Sequence, residues 1–367
     1  MESKSQIIQR QAVKICMLEA LLVTENNLWG ATEHQARKNQ DSARIHIIES
    51  LDSIIQNEKR LYNLTACTLE MFAYILEKFI EEVFANSDRP LFREDKSRAQ
   101  DPGTRCALHI RHVLLLVLIC QRTGMKQVEL GAMFGVDQGT VSKHLAFARP
   151  ILAKILPTAE NTAAQINKEL DIKQLVPQKT FYVDGTVTPV TRSMDSETRR
   201  DTYSGRHKKH AYNTLIIANQ DGLVIDTSKT APGSKHDFGI LKEHKMNFGV
   251  HAKSMKNPNT PQQERITVYS DLGFEGINKV YPGIISKQPK KKPKNGTLTK
   301  PQKKRNKRIN AKRVHIEHVI GRLKNFGVLT IPYDDTPDKF NAELQLITGI
   351  ENLHIMMRHK KYRRFLS

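Results

Sequence analysis

The sequence is short of cysteine, of acids relative to bases, and of long apolar runs, and each shortage removes a class of protein. Four cysteines in 367 residues (Cys16, Cys67, Cys106, Cys120) have neither close metal-site spacing nor the density of a secreted domain. They argue against a disulfide scaffold and predict a reducing, cytoplasmic compartment. The longest apolar run, Val113 to Cys120, is bracketed by Arg111 and Arg122. It falls far below the ~20 residues a membrane span needs, so no membrane partner is expected. Met1 to Arg10 is polar, with no apolar stretch behind a basic start, which predicts no secretory signal. No internal repeat and no dominant low-complexity tract is visible. A globular chain remains, with room for two or three domains at about 150 residues each.

What is present is positive charge. Lys and Arg number 58 against 38 Asp and Glu, a formal +20. Residues 1–90 hold 10 bases and 13 acids, a local −3, so the other residues carry +23. Residues 286–325 alone hold 15 Lys/Arg and one acid, Glu317. A basic stretch of this density can track a polyphosphate backbone by releasing its counterions, so the expected partner is nucleic acid. A solvated basic tail would show the same balance.

The chain divides by texture. Residues 1–90 form an N-terminal helical region: Ile47, Ile48, Leu51, Ile54 and Ile55 lie at helical spacing, and Thr68 is an N-cap before an apolar-faced helix. Its apolar faces pack either within the chain or against a second copy, so a homodimer is one expectation. A helical block occupies 91–157, a polar linker 158–179, and a strand-rich domain 180–367 that contains the basic segment 286–313. Asp221-Gly222 joins two strands as a hairpin. Thr299 with Pro301 opens a long helix, and Pro337 starts the last.

Within the block, Lys126 to Ala148 reads as a helix-turn-helix. Leu130 and Phe134 face inward, Gly135 sits at the turn, Asp137 caps the second helix, and Val141 and Leu145 are its buried positions. The exposed face then carries Gln138, Thr140, Lys143 and His144, side chains suited to base edges and phosphates. An ordinary helical hairpin has the same outline.

Two carboxylates stand at strand ends. Asp184 follows Phe181-Tyr182-Val183, and Asp271 follows Val268-Tyr269-Ser270. An ionised carboxylate beside a buried strand is costly unless paired, so two of them suggest a shared cation. Glu317 is the lone acid of the basic helix. Oxygen-only ligands of this kind suit Mg²⁺, with Mn²⁺ able to substitute. Asp237 in APGSKHD has the chemistry of a fourth metal-proximal acid, but Ser234 and Asp237 also suit capping of the helix that follows, and capping or scaffold support is the favoured reading. His207, His210 and His236 lack a nearby cysteine, which disfavours zinc. Arg206, Lys208 and Lys209, after the first of these strands, are expected to touch substrate backbone.

FYVDGT, YSGRHKKH at 203–210, APGSKHD at 231–237, VYSDLGFEG and RVHIEHVIGRLK together resemble DDE-type transposases of the insertion-sequence-five group, related to the eukaryotic Harbinger elements. The resemblance covers roughly residues 105–358. The family usually has Tyr three residues before the Arg of its last motif, where this chain has Asn310. The resemblance implies an α/β catalytic domain of RNase H-like fold, a mixed sheet flanked by helices, preceded by an all-α region with the helix-turn-helix. It implies Asp184, Asp271 and Glu317 as a catalytic, metal-binding triad holding two Mg²⁺ ions. Arg313 and Lys324 would hold DNA phosphates beside it. The implied activity is recognition of terminal inverted repeats, strand cleavage and joining of 3′ ends to target DNA. The setting would be a prokaryotic cytoplasm, with action at the nucleoid.

Overall fold

The computed structural model describes residues 42–85, 108–162, 179–244, 255–363 and Leu366. The chain divides into two compact units, Met1–Leu156 and Pro157–Ser367.

The first unit is helical: α1 (Ser42–Gln56), α2 (Glu58–Thr65), α3 (Leu69–Ala85), α4 (Ile110–Thr123), α5 (Gln127–Phe134) and α6 (Gln138–Ile155). The apolar run found in the sequence becomes its centre, because His112 through Gln121 of α4 are all buried. A helix apolar all round must be enclosed, and α2, α3, α5 and α6 enclose this one. The Thr68 hydroxyl accepts a bond from the Met71 amide at 3.2 Å and so opens α3. The helices described in the N-terminal region thus find apolar partners within the chain. Residues 1–41 and 86–107 lie outside the described residues, and the expected dimerisation of residues 1–90 falls partly on them.

Between α5 and α6, Gly135 takes φ +66°, and a Cβ there would stand 2.8 Å from Ile47 Cδ1. The left-handed backbone of the turn therefore favours glycine, and any side chain there would also displace the end of Ile47. Asp137 caps α6, accepting the Thr140 amide at 2.9 Å and the Thr140 hydroxyl at 2.6 Å.

Asp52 of α1 ties the unit across its interior. It accepts bonds from Arg111 Nε at 3.0 Å and Nη2 at 3.1 Å, and lies 2.8 Å from His112 Nε2. Burial alone would raise this carboxyl, but the His112 and Arg111 hydrogen bonds outweigh it and hold it at about 2, against an ordinary 3.8. Its folded pKa is depressed, so its stabilisation is full above 3.8 and lost as pH falls through about 2. Asp52→Asn is expected to be less stable at neutral pH and to lose less on acidification across that window. Parallel acid-unfolding curves for the two proteins would refute this.

The second unit contains β1 (Thr180–Pro189), α7 (Ser196–Thr202), β2 (Tyr203–Ser204), β3 (Lys209–Asn219), β4 (Val224–Thr227), β5 (Ala231–Pro232) and α8 (Asp237–Glu243). They are followed by β6 (Thr267–Tyr269), α9 (Ile277–Val280), β7 (Ile285–Lys287), α10 (Lys300–Leu323), α11 (Pro337–Arg358) and α12 (Lys360–Arg363). The sheet runs β2-β3-β1-β6-β7, and β4 and β5 also pair with β3. β1 and β3 are antiparallel from Phe181↔Asn219 to Pro189↔Ala211. β6 and β7 continue the sheet in parallel with β1. It is a mixed sheet with helices on both faces. Phe181 and Val183 point into a core shared with Ile240 and Leu241 of α8. The alternate residues face α10, where Tyr182 meets His315 with ring centroids 4.9 Å apart.

Caps fix the two long helices. Thr299 and Gln302 form a reciprocal capping box at α10, with Pro301 in its first turn. Thr336 caps α11 ahead of Pro337. The expected linker begins with a helical turn at 159–162, docked by Ala159 N–H donating to Thr348 Oγ1 at 3.2 Å.

Candidate active site

Strand register brings the two aspartates together. β1 and β6 are parallel, with Tyr182 opposite Tyr269 and their rings stacked at 5.4 Å. Asp184 and Asp271 each lie two residues beyond that matched pair, and both come within reach of one side chain, Arg313. Asp184 is interior to its strand, contrary to the strand end expected from sequence. β1 continues because β3 pairs with it for five residues more, up to Pro189. What ends near Asp184 is the pairing with β6.

One guanidinium faces both carboxylates. Arg313 Nη2 stands 3.4 Å from Asp184 Oδ2, and Nη1 stands 3.8 Å from Asp271 Oδ1. Arg313, expected to reach DNA phosphates, is largely buried against the aspartates instead. Burial pushes the Asp184 carboxyl up to about 6; the Gly185 amide and Arg313 pull it down, and Asp271 and Asp237 add to the rise. Asp271 accepts the Leu272 amide and opens a short 3₁₀ turn. Gln288, which no sequence signal marked, holds this corner by donating to Ser270 Oγ at 3.0 Å and to the Asp271 carbonyl at 3.1 Å.

The aspartates lie in a cleft of about 610 Å³ lined also by Tyr203, Arg206, His207, Asn213, Asp237 and Lys324. Burial lowers the Lys324 ammonium below the ordinary lysine range, Lys209 adds to that, and Asp184 opposes it. Burial also lowers His207, with Arg206, Lys209 and Lys324 contributing. These basic side chains therefore share one neighbourhood, as the sequence led one to expect. Lys208 occupies the turn between β2 and β3 with φ +52° and does not line the cleft. Glu317 is exposed on α10, four residues beyond Arg313 and about 6 Å farther along the axis, and it too is outside the cleft lining.

On α6, Gln138 and Lys143 are exposed as expected. His144 corrects the expectation: it is 3% exposed, with both ring nitrogens buried and without hydrogen-bond partners among the described residues. One turn after Thr140, its position rotates toward Val141 and Leu145, and burial lowers its pKa. It is not on a face that could reach DNA. The Thr140 hydroxyl is engaged with Asp137.

The donor chemistry of the cleft fits a hard divalent cation. Asp184 and Asp271 offer carboxylate oxygens to one shared positive charge, and the buried Asp184 is incompletely neutralised by Arg313. Among the described residues no three His, Cys, Asp or Glu side chains converge closely enough to hold a metal ion by themselves. Water and phosphate oxygens would complete the shell, as is usual for Mg²⁺. No helix among the described residues is long and apolar enough to cross a membrane.

Over 266 residues the chain is 26% identical to a protein of Microchaete diplosiphon named as a transposase for insertion sequence element IS702, covering 72% of this chain and 88% of that protein. It is 22% identical over 267 residues to a Streptomyces albus G protein named as a transposase for insertion sequence element IS112, covering 72% and 86%. No solved structure matches. Residues 183–352 match the family described as DDE superfamily endonuclease, a span that includes Asp184, Asp271 and the helix bearing Glu317.

Proposed function

We propose that the protein is a DNA transposase that cuts at the ends of its element by metal-assisted phosphodiester hydrolysis and joins the freed 3′ ends to target DNA by transesterification. The observation that carries this is the matched placement of Asp184 and Asp271 beyond Tyr182↔Tyr269, in a cleft rimmed by cations. The antiparallel β4-β3-β1 part of the sheet, extended by parallel β6 and β7, supports an RNase H-like fold.

Asp184 and Asp271 would hold the divalent ions, with Glu317 completing the set from α10. A divalent cation held by these carboxylates would supply charge stabilisation for the transferring phosphoryl group and acidify a water or 3′-hydroxyl. Arg206 and Lys324, which line the cleft, would hold the phosphates on either side of the scissile bond, and Lys209, whose charge acts on Lys324, would add to the positive field there. Arg313 neutralises the aspartates and fixes their orientation. The basic stretch of α10 continues the same track along the DNA backbone. A strand-cleavage assay on the element ends with Mg²⁺ or Mn²⁺ tests the reaction. A joined product supports transposition, and cutting alone leaves a nuclease.

The α5-Gly135-α6 geometry supports a helix-turn-helix that contacts the element ends through Gln138 and Lys143. Lys143→Ala is expected to weaken end binding and to reduce the slope of log affinity against log salt by about 1. Unchanged affinity at every salt concentration would remove this assignment.

A further inference from the structure

We propose that Tyr203 is a stacking platform of the active-site cleft, which holds the base of an unpaired nucleotide beside the strand to be cut. The inference rests on the reaction proposed above and names opened, not fully paired, DNA as what the cleft takes.

β2 buries Ser204 and leaves the Tyr203 residue 45% exposed. Successive side chains of a strand face opposite ways, so a slip of one residue would bury the ring and free the serine. Apolar burial favours that exchange, and the strand does not make it. The ring instead lines the cleft that holds Asp184 and Asp271.

The arrangement that exposes the ring is firmly held. Tyr203 pairs with His210 and Ser204 with Lys209, and the Tyr203 amide donates to the Arg200 carbonyl at the end of α7. The ring meets His210 edge-on, with centroids 5.5 Å apart and planes at 64°. The Thr202 hydroxyl donates to the Thr198 carbonyl at 2.8 Å, so its oxygen accepts from His210 Nδ1 at 3.1 Å and fixes that imidazole. The turn after β5 lies directly against the same backbone. A Cβ on Gly233 would stand 2.6 Å from the Thr202 and Ala211 carbonyl oxygens, and the Ser234 amide donates to the Asp201 carbonyl at 3.1 Å. A ring held in this way loses little freedom when a ligand stacks on it.

An open aromatic face in a cationic cleft suits a nucleobase. Bases within a duplex stack on one another and offer only their edges, so the ring can engage only a base that has left the stack. Arg206, exposed three residues on, and Lys324 line the same cleft and offer cations to the phosphates of that nucleotide. Val187 of β1 adds an apolar wall. A Cβ on Gly205 would meet no atom within 4 Å among the described residues, so the rim beside Tyr203 stays open.

The test is fluorescence anisotropy of labelled oligonucleotides with the full-length protein, without divalent metal so that nothing is cut. Two single strands of equal length and charge are compared, oligothymidine and a strand of abasic sites. Wild-type protein is expected to bind oligothymidine about 10-fold more tightly than the abasic strand. Tyr203→Ala should lose most of that preference at an unchanged melting temperature, and Tyr203→Phe should keep it. A Tyr203→Ala protein that retains at least half of the preference overturns the proposal. Its loss in Tyr203→Phe does so too, because the hydroxyl would then carry the effect. Should Tyr203→Ala not fold, Tyr203→Leu, which keeps bulk without a flat face, decides by the same criterion. Wild-type protein that binds duplex DNA but shows no preference for bases overturns the stacking role alone. Wild-type protein that binds neither duplex nor single strand refutes the proposed DNA-cutting reaction itself.

Discussion

Asp184→Asn and Asp271→Asn are each expected to lower metal-dependent cleavage of element-end DNA about 10³-fold, ~4 kcal/mol of transition-state stabilisation. The size follows from their position. The parallel register sets both carboxylates beyond Tyr182↔Tyr269, so neither can replace the other. An amide in either place leaves a single full charge to hold ions that must neutralise a phosphoryl group. Both variants should fold, because each substitution is isosteric and relieves charge repulsion between neighbours. Glu317→Gln should reduce cleavage on the same order while leaving Mn²⁺ binding by the free protein nearly unchanged. The reason is that Glu317 stands exposed outside the cleft lining and can join the site only as DNA engages the basic face of α10. Cleavage by any one of the three variants above a tenth of the wild-type rate would exclude that residue from the reaction. Loss of Mn²⁺ binding by Glu317→Gln would show that α10 already closes the site without DNA.

Asn352→Leu is expected to destabilise the second unit by about 3 kcal/mol, through buried backbone groups left without partners. Asn352 is fully buried in α11 and its amide joins three segments. Its Oδ1 accepts the Val224 amide at 2.8 Å, and its Nδ2 donates to the Val224 carbonyl at 2.8 Å and the Pro157 carbonyl at 2.9 Å. One side chain thus fixes α11 to the first residue of β4 and to the turn that opens the unit. Leucine fills similar space and satisfies none of these bonds. Urea unfolding is the measurement: a midpoint shift worth less than about 1 kcal/mol would mean that the freed groups find other partners. Asn352→Asp keeps the acceptor but sets a carboxylate against two carbonyl oxygens, and it should be no more stable than the leucine variant.

Much of the fold is legible in the chain because its signals are local. Thr68, Asp137, Thr299 and Thr336 each satisfy an amide within their own first turn, so a few residues suffice to place a helix start. Val113 to Cys120 has no polar face, so an enclosed helix was the outcome its composition required. Gly135 and Asp221-Gly222 mark turns for equally local reasons. Among site residues, Asp184 and Asp271 stood out because a charge beside apolar strands needs a counter-charge. Arg206 and Lys324 stood out through the motifs they share with a known family, and both reach the cleft.

The remainder depends on contacts between residues far apart in the chain. His144 belonged to the outer face by composition, and only the packing of α6 turned it inward. Arg313 looked like one more phosphate-binding cation, and only the sheet set two carboxylates beside it, at 3.4 and 3.8 Å. Asp237 had the spacing of a cap, and its partner Asn213 lies on a strand that nothing local connects to it. The sequence by itself determined an acidic first ninety residues, a basic remainder, the starts of several described helices, and two aspartates beside apolar strands. Tertiary structure alone decided that those aspartates follow one matched pair of strand residues, that Arg313 faces both, and that Asp237 stands beside Gly185. Helix caps and turns are settled within a few residues, whereas register and burial are settled by which surfaces exclude water together.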